Sequence, residues 1–97
     1  MNYKLQFLPS ALKEWKKLDR QIQQQLKKKL AEILKHPHIP ANKLRGFNML
    51  YKIKLRSSGY RLVYEIIDKK LCVLVITIAK REANKVYKIA TKRMNKK

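Results

Sequence analysis

The stretch Tyr51–Ile66, YKIKLRSSGYRLVYEI, sets two alternating apolar segments on either side of a Ser-Ser-Gly turn. Alternate residues of a strand point to one side. Ile53 and Leu55 therefore face one way, and Lys52, Lys54 and Arg56 the other. On the second segment, Tyr60, Leu62, Tyr64 and Ile66 form one set, and Arg61, Val63, Glu65 and Ile67 the opposing one. Register decides whether Arg61 joins the lysines. A two-residue connection pairs Arg56 with Arg61 and Lys54 with Val63; a four-residue connection pairs Lys54 with Arg61. Both put Arg61 on the lysine side, whereas a three-residue connection turns it into the apolar core. A buried, unpaired cation costs several kcal/mol, so the even connections are expected. The cations then share one face and repel one another, unless an anion lies across them.

Working outward, Leu71–Lys80 reads as a further strand, joined to the second by "DKK". Both turns are short enough to force antiparallel neighbours. "YKLQFL" near the N-terminus alternates as a short strand. Pro9 follows, suited to a first helical turn, and Ala11, Leu12, Trp15 and Leu18 recur at helical spacing. Asp19 closes that helix and can cap the next. Ile22, Leu26, Leu30, Ile33 and Leu34 form the apolar stripe of a second helix that ends before Pro37. "HPHIPANKLRGFN" is a loop, and a last helix begins near Glu82, with Val86, Ile89, Ala90 and Met94 along it. The order βααβββα predicts an α+β domain: an antiparallel β-sheet packed with an N-terminal helical hairpin and a C-terminal helix. Residues 1–97 are expected to form one domain, with a basic tail at about 94–97.

Charge narrows the partners. The chain carries 25 Lys+Arg against 6 Asp+Glu, a net charge of +19. Such an excess attracts polyanions at long range, and nucleic acid leads because phosphate neutralisation supplies affinity regardless of sequence. An anionic membrane surface is the alternative, and an acidic protein partner suits either. No stretch approaches the roughly 18–20 apolar residues needed to span a bilayer. The N-terminus lacks the pattern of a secretory signal, so a cytoplasmic location without membrane attachment is expected. Cys72 is the only cysteine, which rules out an intramolecular disulfide and a cysteine metal cluster; it reads as a small buried strand residue.

The third long strand ends in "AKRE", where alternation makes Arg81 point opposite to Lys80, and Tyr87 follows six residues later. A face with Lys52, Lys54 and Arg61, closed at one end by Arg81 and Tyr87, would be a concave basic site. Spacing alone leaves two explanations, first a solvated face on a very basic protein and, close behind it, a phosphate-binding surface.

The segments "ALKEWKKL", "LKKKLAEIL", "ANKLRG", "YKIKLRSSGYRLVYEI" and "KRE" followed by "VY" resemble the RelE toxins of bacterial type II toxin–antitoxin systems, over about residues 3–95. The resemblance implies a ribosome-dependent endoribonuclease that cuts mRNA in the ribosomal A site, among ribosomal RNA, and thereby inhibits translation. It also implies a cognate antitoxin, with operator DNA bound only through the toxin–antitoxin complex. By the same resemblance Lys52 and Lys54 match catalytic lysines, Arg61 a phosphate-holding arginine, Arg81 an arginine at the scissile site and Tyr87 a catalytic tyrosine. Arg45 matches a further RNA contact, and Arg56 and Lys80 extend the RNA-binding set at its rim. Ala83 departs from the pattern, in which a further arginine follows "KRE". Neither cofactor nor metal is implied.

Metal-free cleavage of RNA uses the 2′-OH as nucleophile on the adjacent phosphorus. It yields a 2′,3′-cyclic phosphate and a 5′-OH. The matched side chains have ordinary pKa values of about 10 or more, so one of them must be shifted to act as a base. Neighbouring cations depress a lysine, which selects Lys54, with Arg61 across the hairpin and Lys52 beside it. Tyr87 would orient the 2′-OH, Arg81 would stabilise the phosphorane and leaving oxygen, and Lys52 and Arg61 would hold the non-bridging oxygens. His36 and His38, without nearby carboxylates or cysteines, read as solvated loop residues, and Trp15 as core. "LKKKL" reads as a solvated helix face that can also steer the chain toward RNA. Two other readings stand: a ParE-like, gyrase-poisoning toxin, and a non-catalytic basic RNA- or ribosome-binding module.

Overall fold

A computed structural model describes residues 3–44, 49–56, 58–80 and 92–93. Among them the chain forms β1 (Lys4–Phe7), α1 (Pro9–Lys16), α2 (Arg20–Lys35), β2 (Leu50–Lys54), β3 (Tyr60–Ile67) and β4 (Cys72–Lys80). One-turn 3₁₀ segments lie at Pro40–Asn42 and Asp68–Lys70. The element order and the α+β class are those expected. The expected last helix lies outside the described residues except at Lys92 and Arg93, which are helical.

The strands form one sheet in the order β1-β4-β3-β2. The two tight connections produce antiparallel pairs, β2 with β3 and β3 with β4. β1 instead runs parallel to β4, so the sheet is mixed rather than wholly antiparallel. The physical reason is connectivity. No short turn ties β1 to a neighbour, and one edge of β3 is occupied by β2 and the other by β4. β1 therefore adds to the free edge of β4, bracketed by Lys4 N–H to the Leu71 carbonyl (2.7 Å) and Leu8 N–H to the Val75 carbonyl (3.0 Å).

The hairpin has the even register. Lys54 pairs with Arg61 and Ile53 with Leu62, while Leu55 N–H donates to the Tyr60 carbonyl at 2.8 Å. The connection is closed by Gly59 N–H to the Leu55 carbonyl (2.8 Å). Gly59 has φ +77°, a left-handed conformation that glycine adopts without steric cost. At the other turn the left-handed position, φ 49°, is held by Leu71, a residue type that pays for it.

α1 and α2 cover one sheet face. Ala11, Leu26, Leu30 and Ile33 pack there with Tyr51, Ile53, Leu55, Leu62, Tyr64, Ile66, Val73 and Val75, and Phe7 and Trp15 join at the edge. Trp15 thus packs against the core, half-buried and 5.5 Å from the Phe7 ring. Tyr64 is fully buried and stacks on Tyr51 at 5.5 Å. Its hydroxyl donates to the Pro37 carbonyl at 3.0 Å, and burial pushes its ionisation well up. Asp19 occupies the N-cap of α2 without a side-chain capping bond.

The opposite face is more apolar than alternation suggests. Leu50, Val63, Cys72, Leu74 and Ile76 are buried there, so the cations occupy only the β2–β3 end of that face. The β3–β4 register also shifts between Val63 and Tyr64, which pair with Thr77 and Val75 and leave Ile76 as an extra residue in β4. Glu14 of α1 closes over this bulge. Its carboxylate accepts from Thr77 Oγ1 (3.1 Å), Ile78 N–H (3.2 Å) and Arg93 Nη1 (2.9 Å), while Arg93 also donates to the Ile76 carbonyl at 2.7 Å.

Candidate functional site

Adjacent antiparallel strands bring Lys52, Lys54 and Arg61 together. Lys52 and Lys54 are two apart on β2, so both point to the face that Arg61 reaches from β3, directly across from Lys54. Lys54 is exposed, while Lys52 and Arg61 are half-buried. Lys54 is held below the ordinary lysine range, first by the charge of Lys52, next by that of Arg61, with a smaller push from Arg56. Each neighbouring cation disfavours the protonated form. Lys52 on the same strand and Arg61 across the hairpin thus enlarge the neutral fraction of Lys54, the requirement for an amine to accept a proton.

The other expected residues are placed differently. Arg56 is exposed at the turn, where it borders a cavity of about 260 Å³ with Lys54, Tyr60 and Arg61. Lys80 pairs with Tyr60, and Arg61 pairs with Ala79. Alternation therefore puts Lys80 on the face opposite Arg61, and its ammonium sits 5.6 Å from the centre of the Tyr60 ring. Arg45, Arg81, Ala83 and Tyr87 lie outside the described residues.

Among the described residues there is no group of three or more His, Cys, Asp or Glu that could hold a metal ion. His38, expected as a solvated loop residue, is exposed but partnered: its Nε2 lies 2.9 Å from Asp68 Oδ1. Tyr3 donates to the same carboxylate oxygen at 2.6 Å. Cys72 is buried and donates to Gln6 Oε1 at 3.2 Å.

Sequence reasoning missed one part of the site. Lys28 and Lys29 of α2 line a cavity of about 690 Å³ together with Lys52, Lys54 and Arg56 at the edge of β2. The signal lay in the positions of Gln25, Lys28, Lys29 and Glu32, spaced i, i+3, i+4, i+7. That spacing is a polar stripe along one flank of the apolar stripe Leu26, Leu30, Ile33. Once the apolar stripe packs on the sheet, its flank overlooks the edge strand β2.

Comparison with known proteins gives the lineage. Residues 5–84 match the family model described as ParE toxin of type II toxin–antitoxin system, parDE. The chain is 58% identical over 94 residues to the mRNA interferase toxin RelE of Escherichia coli, covering 97% of this chain and 99% of that one. A putative RelE-like toxin protein of E. coli is 53% identical over the same share of each chain. Among solved structures, a mutant of E. coli toxin RelE in the free state superposes with a TM-score of 0.89 at 58% identity, over 97% of this chain and 99% of that chain. The toxin of the intact E. coli RelBE toxin–antitoxin complex superposes with a TM-score of 0.80 at 60% identity, over 82% of this chain and 98% of that chain. The chain therefore belongs to the RelE/ParE superfamily of type II toxin–antitoxin toxins.

Proposed function

We infer that this protein is the toxin of a toxin–antitoxin pair and an mRNA interferase, an endoribonuclease that cuts mRNA in the ribosomal A site. The observation that carries this is 58% identity to the E. coli mRNA interferase RelE across 97% of the chain. The convergence of Lys52, Lys54 and Arg61 supports it, because metal-free RNA cleavage needs a proton acceptor beside anchored phosphate charge. The 2′-OH attacks the adjacent phosphorus, the bond to the 5′-oxygen breaks, that oxygen takes up a proton from solvent, and a 2′,3′-cyclic phosphate and a 5′-OH result. Lys54 takes the 2′-OH proton. Lys52 and Arg61 hold the non-bridging oxygens. Arg81 and Tyr87 enter by resemblance, Arg81 at the phosphorane and leaving oxygen, and Tyr87 at the 2′-OH. Arg45 adds an RNA contact, as does Arg56 at the rim; Lys80, on the opposite face, contributes outside the reacting group.

The partners follow from the same chemistry. mRNA and the ribosome are the substrate and its setting, which places the protein in the cytoplasm. Among the described residues no helix is long and apolar enough to cross a membrane. The E. coli relative is solved in complex with its antitoxin RelB. A chain of net charge +19 calls for a masking partner with acidic, partly disordered segments that fold on it, and operator DNA is reached through that complex. The family description names ParE, so a toxin acting on gyrase by protein contacts is the second reading. Incubating purified protein with programmed ribosomes and mapping mRNA 5′ ends separates them. A codon-registered cut is expected; gyrase inhibition without any cut would favour the second.

A further inference from the structure

The basic cluster does not end at the hairpin. The cavity of about 260 Å³ at the turn, the cavity of about 690 Å³ between β2 and α2, and one of about 540 Å³ beside Gln25, Lys28 and Lys29 are all lined by Lys54 and Arg56. They form one track from Arg61, along the edge of β2, to the polar flank of α2. Ile33 and Ile53, both buried, and half-buried Ile39 form an apolar stretch of the wall in the cavity of about 690 Å³. Glu32 and Asn42 stand there too.

We propose that this track is a binding groove for the RNA strand on one side of the scissile phosphate, and that Glu32 reads a base within it. The proposal rests on the nuclease reading for the identity of its ligand. Among the described residues, Lys28, Lys29, Lys52, Lys54 and Arg56 give the cavity between β2 and α2 five cations against the single carboxylate of Glu32. That imbalance is relieved by a polyanion lying along both walls, and phosphates spaced along a strand meet it where one isolated phosphate does not. The apolar wall selects the kind of polyanion. Only an unpaired base offers a face to the half-buried Ile39; in a duplex the base faces are stacked and covered. About 690 Å³ falls inside the usual range of about 300–1,000 Å³ for small-ligand sites. Lys28, Lys29 and Arg56 take phosphates. Glu32 accepts from an exocyclic amino group, as carboxylates do from cytosine N4, and Asn42 serves as a second polar contact at the base edge. Cytidine is therefore held better than uridine.

Binding of uncleavable 2′-O-methyl oligocytidylate and oligouridylate of two, four and six nucleotides, followed by fluorescence anisotropy over a salt series, tests this without ribosomes. With the intact chain, affinity should rise with length, and cytidine should exceed uridine once the groove is reached. In Lys28→Gln/Lys29→Gln the gain between two and six nucleotides should fall about tenfold. The salt slope for the hexamer should drop by about 1.4 at about 0.7 per phosphate contact. In Glu32→Ala the uridine oligomer should bind more tightly as a negative charge is lost, and the cytidine-to-uridine ratio should fall toward one. Equal length gains in the intact chain and the double variant, or a hairpin duplex gaining as much as the single strand, would overturn the groove. An unchanged cytidine-to-uridine ratio in Glu32→Ala would overturn base reading. Ribosome assays on the intact chain report separately on the nuclease, since a length-dependent gain without codon-registered cleavage leaves the groove standing and removes only the reaction.

Discussion

Lys54 stands directly opposite Arg61 in the β2–β3 hairpin, and the charges of Lys52 and Arg61 hold its ammonium below the ordinary lysine range. Strand alternation, which supplies Lys52, and the pairing, which supplies Arg61, thus both tune the group proposed as the base. Lys54→Ala should lower single-turnover cleavage on programmed ribosomes at least a hundredfold, and raising the pH should not recover it. Cleavage at the intact rate would remove Lys54 from the chemistry.

Of the three neighbouring cations, Lys52 acts most strongly on Lys54. Taking it away favours the protonated amine, so the Lys54 pKa rises. In Lys52→Gln the ascending limb of the rate–pH profile should therefore move to higher pH, apart from any fall in the plateau. Arg61→Gln should move it the same way by less. A limb that stays in place in both variants would contradict the electrostatic account.

Glu14 anchors Thr77, Ile78 and Arg93 at the β4 bulge. It and Arg93 are both largely sheltered, with side chains 27% and 21% exposed. Glu14→Ala leaves a backbone N–H and a hydroxyl without this acceptor, and the Arg93 guanidinium with the Ile76 carbonyl but without the carboxylate. Chemical denaturation should show a loss of about 2–4 kcal/mol. Glu14→Gln, which keeps an acceptor but not the charge, should lose less.

Asp68 accepts from the Tyr3 hydroxyl and lies beside His38. These contacts, Tyr3 first, hold its carboxyl below the ordinary aspartate range, and the same bond raises the Tyr3 hydroxyl. For Asp68 the folded pKa lies below the unfolded one. Its contribution is therefore complete above the ordinary aspartate value and is lost as pH falls through the folded value. For Tyr3 the folded pKa lies above the unfolded one, so its contribution is complete below about pH 10 and is lost as pH rises through the folded value. Denaturation midpoints of Asp68→Asn should show weaker dependence on pH at both extremes, and an unchanged profile would refute the linkage.

Leu71 at φ 49° carries a left-handed cost of roughly 1–2 kcal/mol. Glycine removes that cost but adds chain entropy to the unfolded state, and the side chain lost is an exposed one. Leu71→Gly should be neutral to about 1 kcal/mol more stable in thermal unfolding; destabilisation would mean the side chain contributes packing that its exposure does not reveal.

The hairpin and helical stripes were legible because each follows from a local period, and the penalty for burying Arg61 limited the register to even connections. The direction of β1 was not legible, since no turn constrains it and its partner β4 lies more than sixty residues away. The buried second face escaped because Leu50, Val63 and Leu74 share their alternation sets with cations, and only strand order brings them together. Lys28 and Lys29 were visible as charge but not as site, because their convergence with Lys54 and Arg56 depends on how α2 lies over the edge of β2. Glu14 and Arg93 meet across 79 residues, beyond any pattern in the chain.

The central claim is that the Lys52–Lys54–Arg61 face cuts mRNA on the ribosome. Its most direct measurement maps mRNA 5′ ends after purified protein meets ribosomes stalled with a defined codon in the A site. A single cut within that codon, bearing a 5′-OH and a matching 2′,3′-cyclic phosphate and lost in Lys54→Ala, is the result predicted. Intact mRNA, or a cut that persists unchanged in Lys54→Ala, would contradict it.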